Sequence, residues 1–430
     1  MYLPAWIMDA YTAILKEELL VAIGCTEPIS IAYAASVLCK TLGFMPERVL
    51  AQLSGNMIKN VKSVVVPATG GLRGIEAAIA AGLIADAAEK ELEVLSALVP
   101  EDHSRISELL EHCSITVEEM KSIHTFDLQL TGEAEGHTAV VRISKNHTNV
   151  VLVERDGADL TAEHVRSIQE EEAGQTDRSV LNVKDIVAFA EEVELTELKP
   201  FLQRQIRMNM AIAEEGLRGG YGACIGKVLY RDGRASLRDR ARAYAAAGSD
   251  ARMSGCEMPV GIISGSGNQG ITASVPVAVY AREQGASEED LLRAVLLSDL
   301  ITIHLKTGIG ILSAYCGAIS AGCGSAAGIC FLRGGRFYEI AHTLVNSVAI
   351  LSGTICDGAK PSCAAKIAMA VEAGIMGYEM MLSGHQFFGG DGIITKGVEN
   401  TIRNIGRLAR DGMSETDKEI IRIMLQPTDC

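Results

Sequence analysis

The sequence predicts an α+β fold: an N-terminal α+β domain with a small antiparallel sheet, followed by a mostly all-α helical domain. Residues 114–154 alternate apolar and polar side chains in short segments divided by turn residues, which is typical of three or four strands. Beyond residue 184, apolar residues recur at helical spacing. The segment 155–180 is polar and charged. We therefore place the domains at residues 1–175 and 176–430.

The N-terminal elements follow from the same patterns. Residues 5–23 and 29–43 have helical apolar spacing, with Thr26 as the expected N-cap and Pro28 in the first turn of the second helix. The apolar run at 61–67 predicts a further strand, which leads into a glycine-rich turn.

The C-terminal half is expected to be helical almost throughout. Its periodic segments lie near 184–217, 235–247, 287–304, 338–352, 363–382 and 416–425.

Composition narrows the classes of partner. The formal net charge is −15, and no basic stripe interleaved with aromatic residues is present, so a nucleic-acid partner is not expected. The first residues, MYLPAWIMDAYTAILKEELL, lack the basic region and apolar core of a secretion signal. Eleven cysteines in such a chain favour reduced thiols or metal ligands over disulfides. We therefore expect a cytoplasmic protein.

Two uncharged runs are long enough to raise the question of membrane insertion. They comprise 26 residues between Lys306 and Arg333 and 24 residues between Glu257 and Arg282. The first is rich in Gly, Ala, Ser and Thr, and the second contains the irregular segment SGSGNQG, which lipid would not tolerate. Buried helices of a protein without membrane contact are the favoured interpretation.

The segment Gly265–Gly270 is formally a GxGxxG motif after a strand-like run, so it admits a dinucleotide-binding interpretation. Pro276 early in the following helix and the absence of a second strand argue against a Rossmann unit. The free N–H groups of this loop could equally bind a carboxylate. We expect the loop residues Ser266, Gly267, Asn268 and Gln269 to contact a substrate. Asn60 and Lys62, near the glycine-rich turn, are expected to contact it as well. For these two residues the alternative is a solvated loop without a binding role.

Cysteines are concentrated between Ser313 and Lys366, which hold five of the eleven, and iron–sulfur clusters take thiolate ligands. One glycine-rich segment offers Cys316, Cys323 or Cys330. The loop CDGAKPSC offers Cys356 and Cys363, seven residues apart. No CxxC pair is present, which disfavours a zinc knuckle or a ferredoxin-type cluster. Buried inert cysteines remain the alternative.

Cys25 precedes the second predicted helix. A helix amino end favours a thiolate, so we expect a lowered pKa there, and a small buried apolar residue is the alternative. His137 and His147 lie at strand ends or turns and need no functional role, and His304 with Lys306 could orient the cysteine segment or simply pack.

Six motifs occur together in collinear order: GCTEP at 24–28, SGNMIKNVKSVVVPATGG at 54–71, SGSGNQG at 264–270, LSAYCG at 312–317, CDGAKPSCAAK at 356–366 and the C-terminal GMSETDKEI. Taken together they resemble the serine dehydratase α-chain-like family, and within it the L-cysteine desulfidase branch. The resemblance covers nearly the whole chain.

This resemblance implies a lyase with a [4Fe–4S] cluster that eliminates the β-substituent of a small L-amino acid, with L-cysteine expected before L-serine. It places the three cluster ligands on Cys316, Cys356 and Cys363, and a catalytic base on Cys25. Cys430 could act as a fourth ligand, with a frayed tail as the alternative. The expected binding partner is a small amino-acid substrate. A homodimer is the assembly considered.

Overall fold

The computed structural model describes residues 3–165, 176–230, 235–310 and 312–425. Within them the predicted α+β class is confirmed, with the sheet in the N-terminal part and mainly helices after it. The predicted domain boundary after residue 175 falls at the edge of a segment outside these ranges and stays a prediction. Cys430 also lies outside the described residues.

The larger sheet has six strands in the order β3-β2-β4-β5-β6-β7, in which β2 and β3 are parallel and the other neighbours are antiparallel. Among the described residues a second sheet consists of β1 and β8, which pair antiparallel. The strands are β1 (Val21–Ile23), β2 (Arg48–Leu53), β3 (Ser114–Glu119), β4 (Asp127–Ala134), β5 (His137–Ser144), β6 (Val150–Arg155), β7 (Ala158–Asp159) and β8 (Pro259–Gly261).

The helices before the boundary are α1 (Ala5–Glu18), α2 (Thr26–Leu42), α3 (Gly55–Val61), α4 (Gly74–Ala85), α5 (Asp102–His112) and α6 (Thr161–Val165). After it come α7 (Val183–Glu192), α8 (Lys199–Arg218), α9 (Ile225–Tyr230), α10 (Leu237–Met253), α11 (Gly267–Gln284), α12 (Glu288–Ile309), α13 (Gly317–Leu332), α14 (Phe337–Ile350), α15 (Cys363–Leu382), α16 (Val398–Arg407) and α17 (Ser414–Leu425). Short 3₁₀ segments lie at Ala88–Ala97 and Arg178–Val180, and a π-helical turn lies at Leu408–Gly412.

Apolar burial forms two main cores. One holds residues between Ile29 and Val153 and packs α2 and α4 against the six-stranded sheet. The larger one holds most of the later helices together with α1, whose Tyr11 and Leu15 are fully buried there. The first helix of the chain therefore packs with the helical half of the molecule.

Small residues allow the central helices to approach closely. A methyl group added at Gly322 of α13 would lie 2.5 Å from the carbonyl oxygen of Ala370 in α15, and one at Gly374 would lie 2.5 Å from that of Gly322. Such distances are too short for any side chain, so the glycines set the spacing between these two helices. This spacing matters because each helix begins at a cysteine.

Three local expectations are wrong. The run 61–67 is not a strand: it contains the end of α3 and a turn in which Val65 bridges only to Arg73. The strand of this region is instead β2. Residues 5–23 divide into α1 and β1, and Cys25, not Thr26, occupies the N-cap of α2, without a side-chain cap.

The strand before the GxGxxG segment is β8, whose partner is the antiparallel β1. A dinucleotide-binding unit requires a parallel βαβ crossover, which this two-stranded pair does not provide. Among the helices of the described residues, none is both long enough and apolar enough to cross a membrane.

Candidate functional site

Four helices present their amino ends to one cavity of about 120 Å³. Cys25 is the N-cap of α2, Ser266 that of α11 and Cys316 that of α13, while Cys363 is the first residue of α15. Helix amino ends carry unpaired N–H groups and partial positive charge, so the cavity is suited to thiolates and other anions.

Backbone pairing brings two of the cysteines together. Tyr315 and Ile355 form an antiparallel bridge, in which the N–H of Cys316 donates to the carbonyl of Thr354 at 3.0 Å and that of Cys356 to the carbonyl of Ala314 at 2.6 Å. The thiols of Cys316 and Cys356 lie close enough for each to shift the pKa of the other. Two residues that are distant in the chain are thereby fixed side by side.

The third cysteine of the predicted set arrives through a tight loop. Gly358 has φ +93°, and an added methyl group there would lie 2.2 Å from the carbonyl oxygen of Lys59, so only glycine fits between the loop and α3. The loop then turns, and the Cys363 thiol donates to the carbonyl of Gly358 at 3.7 Å. Cys316, Cys356 and Cys363 consequently all line the cavity.

Charges around this group favour ionisation of Cys356. The pKa of Cys356 is lowered to about 6 because the Cys316 thiol donates to it and the ammonium groups of Lys59 and Lys306 lie close, although burial opposes the shift. The pKa of Cys316 is raised, since it is the donor of the pair and is buried. Burial lowers the pKa of Lys306 to about 8, opposed by the nearby thiols. Of the three thiols in this set, Cys356 is thus the one whose ionisation its surroundings favour.

Cys25 lies in the same cavity, packed in a small cluster with Val64, Met253 and Cys363. The expected lowering of its pKa is wrong. Complete burial raises the pKa to about 12, and the nearby Arg252 offsets only part of this. Desolvation of a thiolate therefore outweighs the effect of the helix end.

The predicted substrate-binding residues divide into two groups. Asn60, Ser266, Asn268 and Gln269 line the cavity. Lys62 is not among the lining residues, because it lies at the C-cap of α3 with its ammonium group on the carbonyl of Met424.

Gly267 is also not a lining residue. It lies against Arg252, where an added methyl group would be 2.4 Å from Nε of that side chain. Its role is therefore to leave room for the arginine.

Sequence reasoning missed several residues of the cavity wall. Arg252 lies in none of the six motifs, Glu27 and Tyr315 lie in GCTEP and LSAYCG but were given no role, and His147 was expected to need none. Lys306 lines the cavity as well, whereas the ring of His304 bonds Glu399 at 2.8 Å. A close reading of GCTEP could have suggested Glu27, since it follows Cys25 by two positions.

Many lining side chains present polar atoms that have no hydrogen-bond partner among the described residues. These buried atoms are Asn60 Oδ1, His147 Nε2, Arg252 Nε, Asn268 Oδ1, Gln269 Oε1 and the Tyr315 hydroxyl. Buried polar groups are usually paired. Their concentration around one cavity indicates a site that binds a polar ligand.

The thiol set is compatible with a cluster and unsuited to a single ion. In the described residues no three His, Cys, Asp or Glu side chains converge closely enough to hold one metal ion. A cubane cluster binds each thiolate at a different iron, so it needs several cysteines around one cavity and does not need them at one point. Cys316, Cys356 and Cys363 satisfy that requirement.

A cavity lined by thiols at helix amino ends is suited to metal-cluster chemistry on a small polar ligand, and this α+β protein has such a cavity. Comparison with known proteins supplies the family. The sequence model described as serine dehydratase alpha chain matches residues 89–422, so the chain belongs to that family. Members of it are generally iron–sulfur dependent, and the family supports a lyase activity.

Relatives cover almost the full chain. A UPF0597 protein of Desulfitobacterium hafniense is 53% identical over 97% of this chain and 96% of its own length. UPF0597 proteins of Treponema denticola and Finegoldia magna are 44% and 43% identical, over 97% of this chain and 98% and 100% of their own lengths. These names give no substrate.

Proposed function

We propose that this protein is an iron–sulfur dependent lyase that converts L-cysteine to pyruvate, ammonia and hydrogen sulfide. The observation that carries the proposal is the meeting of Cys316, Cys356 and Cys363 with Cys25 in one cavity. Membership of the serine dehydratase alpha chain family supports the same class of reaction.

The proposed ligands of a [4Fe–4S] cluster are Cys316, Cys356 and Cys363. When bound through three thiolates, such a cluster supplies an iron with an open position that can act as a Lewis acid on the β-substituent. Lys59 and Lys306 compensate negative charge at Cys356, which is the thiol of the set with the lowered pKa.

The reaction balances without an external oxidant or reductant. The Cα proton moves to a base and the Cβ–S bond breaks as the Cα=Cβ bond forms, so hydrosulfide leaves and takes up one proton, equal to the one the base accepted, to give hydrogen sulfide. The resulting 2-aminoacrylate loses a proton from nitrogen and gains one at Cβ to become an imine, and one water hydrolyses this imine to pyruvate and ammonia.

Cys25 is the proposed acceptor of the Cα proton. Its thiol is protonated at pH 7 because burial holds the pKa near 12. It therefore has to lose its proton before it can act as a base. The positive charge of Arg252 lies near this sulfur and lowers its pKa, so Arg252 is the group of the cavity wall proposed to stabilise the thiolate.

L-serine is the alternative substrate, with water as the leaving group in place of hydrogen sulfide. The same cavity residues would serve either elimination. L-cysteine is proposed first because GCTEP at 24–28, whose Cys25 lines the cavity, resembles the L-cysteine desulfidase branch.

Anaerobic reconstitution followed by product assay tests the proposal. We expect sulfide and pyruvate in equal amounts from L-cysteine, and slower or no pyruvate from L-serine. Cys25→Ser should lower kcat by about 100-fold or more at unchanged iron content, because a general base typically contributes that much. Cys39→Ser is the matched control, since Cys39 lies outside the cavity and its thiol donates to the carbonyl of Phe44 at 3.7 Å.

Two results would count against the proposal. Reconstituted protein that carries its cluster yet forms no pyruvate from either amino acid contradicts the lyase activity. Faster turnover of L-serine than of L-cysteine contradicts the substrate while leaving the reaction class in place.

A further inference from the structure

Arg252 is a buried cation of the cavity wall. Only 3% of the residue is exposed, and among the described residues no carboxylate forms an ion pair with its guanidinium group. Its Nε has no hydrogen-bond partner there either, and Gly267 leaves the space in which the side chain lies. The guanidinium group nevertheless borders the cavity.

A buried cation that no carboxylate balances is costly, so an anionic ligand in the cavity would stabilise this arrangement. The planar fork of an arginine matches a carboxylate, which it can bind through two parallel hydrogen bonds. Lys306 is the other strong cation of the wall, but it lies beside the Cys356 and Cys316 thiols. Arg252 is therefore the better carboxylate site.

Glu27 supplies the opposite charge. It is the one carboxylate among the described residues that line the cavity. The described residues that donate hydrogen bonds to it are Asn60, through its amide at 3.0 Å, and Thr26, through its hydroxyl at 3.1 Å, and both donors are neutral. A carboxylate held by neutral donors can still accept hydrogen bonds from an ammonium group.

The two charges flank the proposed base. Glu27 follows Cys25 by two positions at the start of α2, and the charges of both Glu27 and Arg252 lie close enough to the Cys25 sulfur to act on it. An amino-acid zwitterion carries its carboxylate and its ammonium on the same carbon, Cα. A ligand that satisfies both charges would place Cα between them, next to the thiol.

We propose that Arg252 and Glu27 together recognise a free α-amino acid, with Arg252 binding the carboxylate and Glu27 the ammonium group. The choice of reaction rests on the proposed function, whereas the recognition itself rests on Arg252 and Glu27, two charged lining residues that form no ion pair among the described residues. The consequence is selectivity for small amino acids with both groups free, so peptides, N-acyl derivatives and esters are excluded.

Calorimetric binding under anaerobic conditions to the full, cluster-free chain tests this. The probes are L-cysteine, 3-mercaptopropionate, which lacks the ammonium group, and cysteamine, which lacks the carboxylate. For the wild type we expect L-cysteine to bind roughly 10- to 100-fold more tightly than either analogue, the range expected for losing a charged hydrogen-bond pair.

Two variants separate the roles. Arg252→Gln removes the proposed carboxylate site, so it should abolish the preference for L-cysteine over cysteamine and keep the preference over 3-mercaptopropionate. Glu27→Gln removes the proposed ammonium site, so it should abolish the preference over 3-mercaptopropionate and keep the preference over cysteamine. Arg252→Lys keeps the charge and should retain part of the preference, which covers the case in which the glutamine variant folds poorly. Arg282→Gln and Glu214→Gln, which remove the two sides of an exposed ion pair, should change neither preference.

Equal affinities of the wild type for all three probes, or no binding of any, would overturn the inference, as would variants that keep both preferences. The outcome is separable from that of the lyase assay. Selective binding without pyruvate formation contradicts the proposed function alone, whereas pyruvate formation with unchanged preferences in both variants contradicts this inference alone.

Discussion

Lys59 of α3 forms an ion pair with Asp417 of α17, although 358 residues separate them in the chain. The lysine side chain is fully buried, and Asp417 also accepts from the Asn56 amide at 2.7 Å. Because the Lys59 ammonium helps to lower the pKa of Cys356, the last described helix supports the charge balance of the cavity without lining it.

Removing the acid of this pair should destabilise the fold. Asp417→Asn leaves the Lys59 ammonium buried without its counterion, and we expect the free energy of unfolding to fall by about 3 kcal/mol in chemical denaturation. Glu415→Gln removes the acid of an exposed pair on the same helix, where the expected change is below about 1 kcal/mol. Equal effects of the two substitutions would contradict the importance of burial here.

Close packing of α13 on α15 should be sensitive to a single methyl group. In Gly322→Ala the added carbon would lie 2.5 Å from the Ala370 carbonyl oxygen, so the two helices have to separate. We expect a loss of about 1–3 kcal/mol in stability and a lower iron content after reconstitution, since both helices begin at a proposed ligand.

Gly220→Ala is the matched control for that substitution, because a methyl group at Gly220 meets no atom within 4 Å. Thermal unfolding and iron analysis on both variants check the prediction. Wild-type values for Gly322→Ala would show that the helix spacing does not determine the site.

Asp250 should make stability depend on pH. Burial raises its pKa to about 6, although the N–H groups of Gly226 and Ile225 act in the opposite direction. The unfolded chain loses this proton near pH 3.9. The folded state therefore binds one more proton between about pH 4 and pH 6, so the stability contributed by Asp250 falls as pH rises through that window and is constant above it.

Asp250→Asn removes this titration. The difference in unfolding free energy between the variant and the wild type should shift by roughly 3 kcal/mol in favour of the variant as pH rises from 4 to 7. Urea unfolding at several pH values measures this difference. Asp9→Asn, at an exposed position, should show no such trend. A difference between Asp250→Asn and wild type that does not vary with pH would contradict the prediction.

The sequence predicted the parts of the fold that local patterns encode. Alternation between residues 114 and 154 identified β3 to β6, and helical spacing identified most later helices. It missed β2, since the pattern around it gave no alternation as clear as that of the later strands. It also assigned a strand to 61–67, because the apolar run there is buried by tertiary packing and not by a sheet.

Site residues could be predicted where a reactive side chain lies in a recognisable motif. They could not be predicted where only burial in the folded protein brings a side chain to the cavity. The four predicted cysteines meet at the cavity, and the cluster itself stays a prediction. Arg252 sits in a charged helical segment that resembles a solvent-facing surface, and His147 sits in a turn. Their inward placement depends on contacts between distant segments, such as the bond from the Ser30 hydroxyl to the His147 carbonyl.

The pKa of Cys25 shows the same limit. Its position at a helix start was predictable to within one residue, but the sign of the shift depends on how much water reaches the sulfur. Only the assembled fold determines that quantity.

The central claim is tested most directly by the iron and acid-labile sulfide content per chain after anaerobic reconstitution. We predict about four irons in the wild type, and loss of most of that iron in each of Cys316→Ser, Cys356→Ser and Cys363→Ser. Cys323→Ser, at a buried cysteine outside the cavity lining, should keep the wild-type content. Full iron content in any of the three ligand variants, or an equal loss in Cys323→Ser, would contradict the assignment.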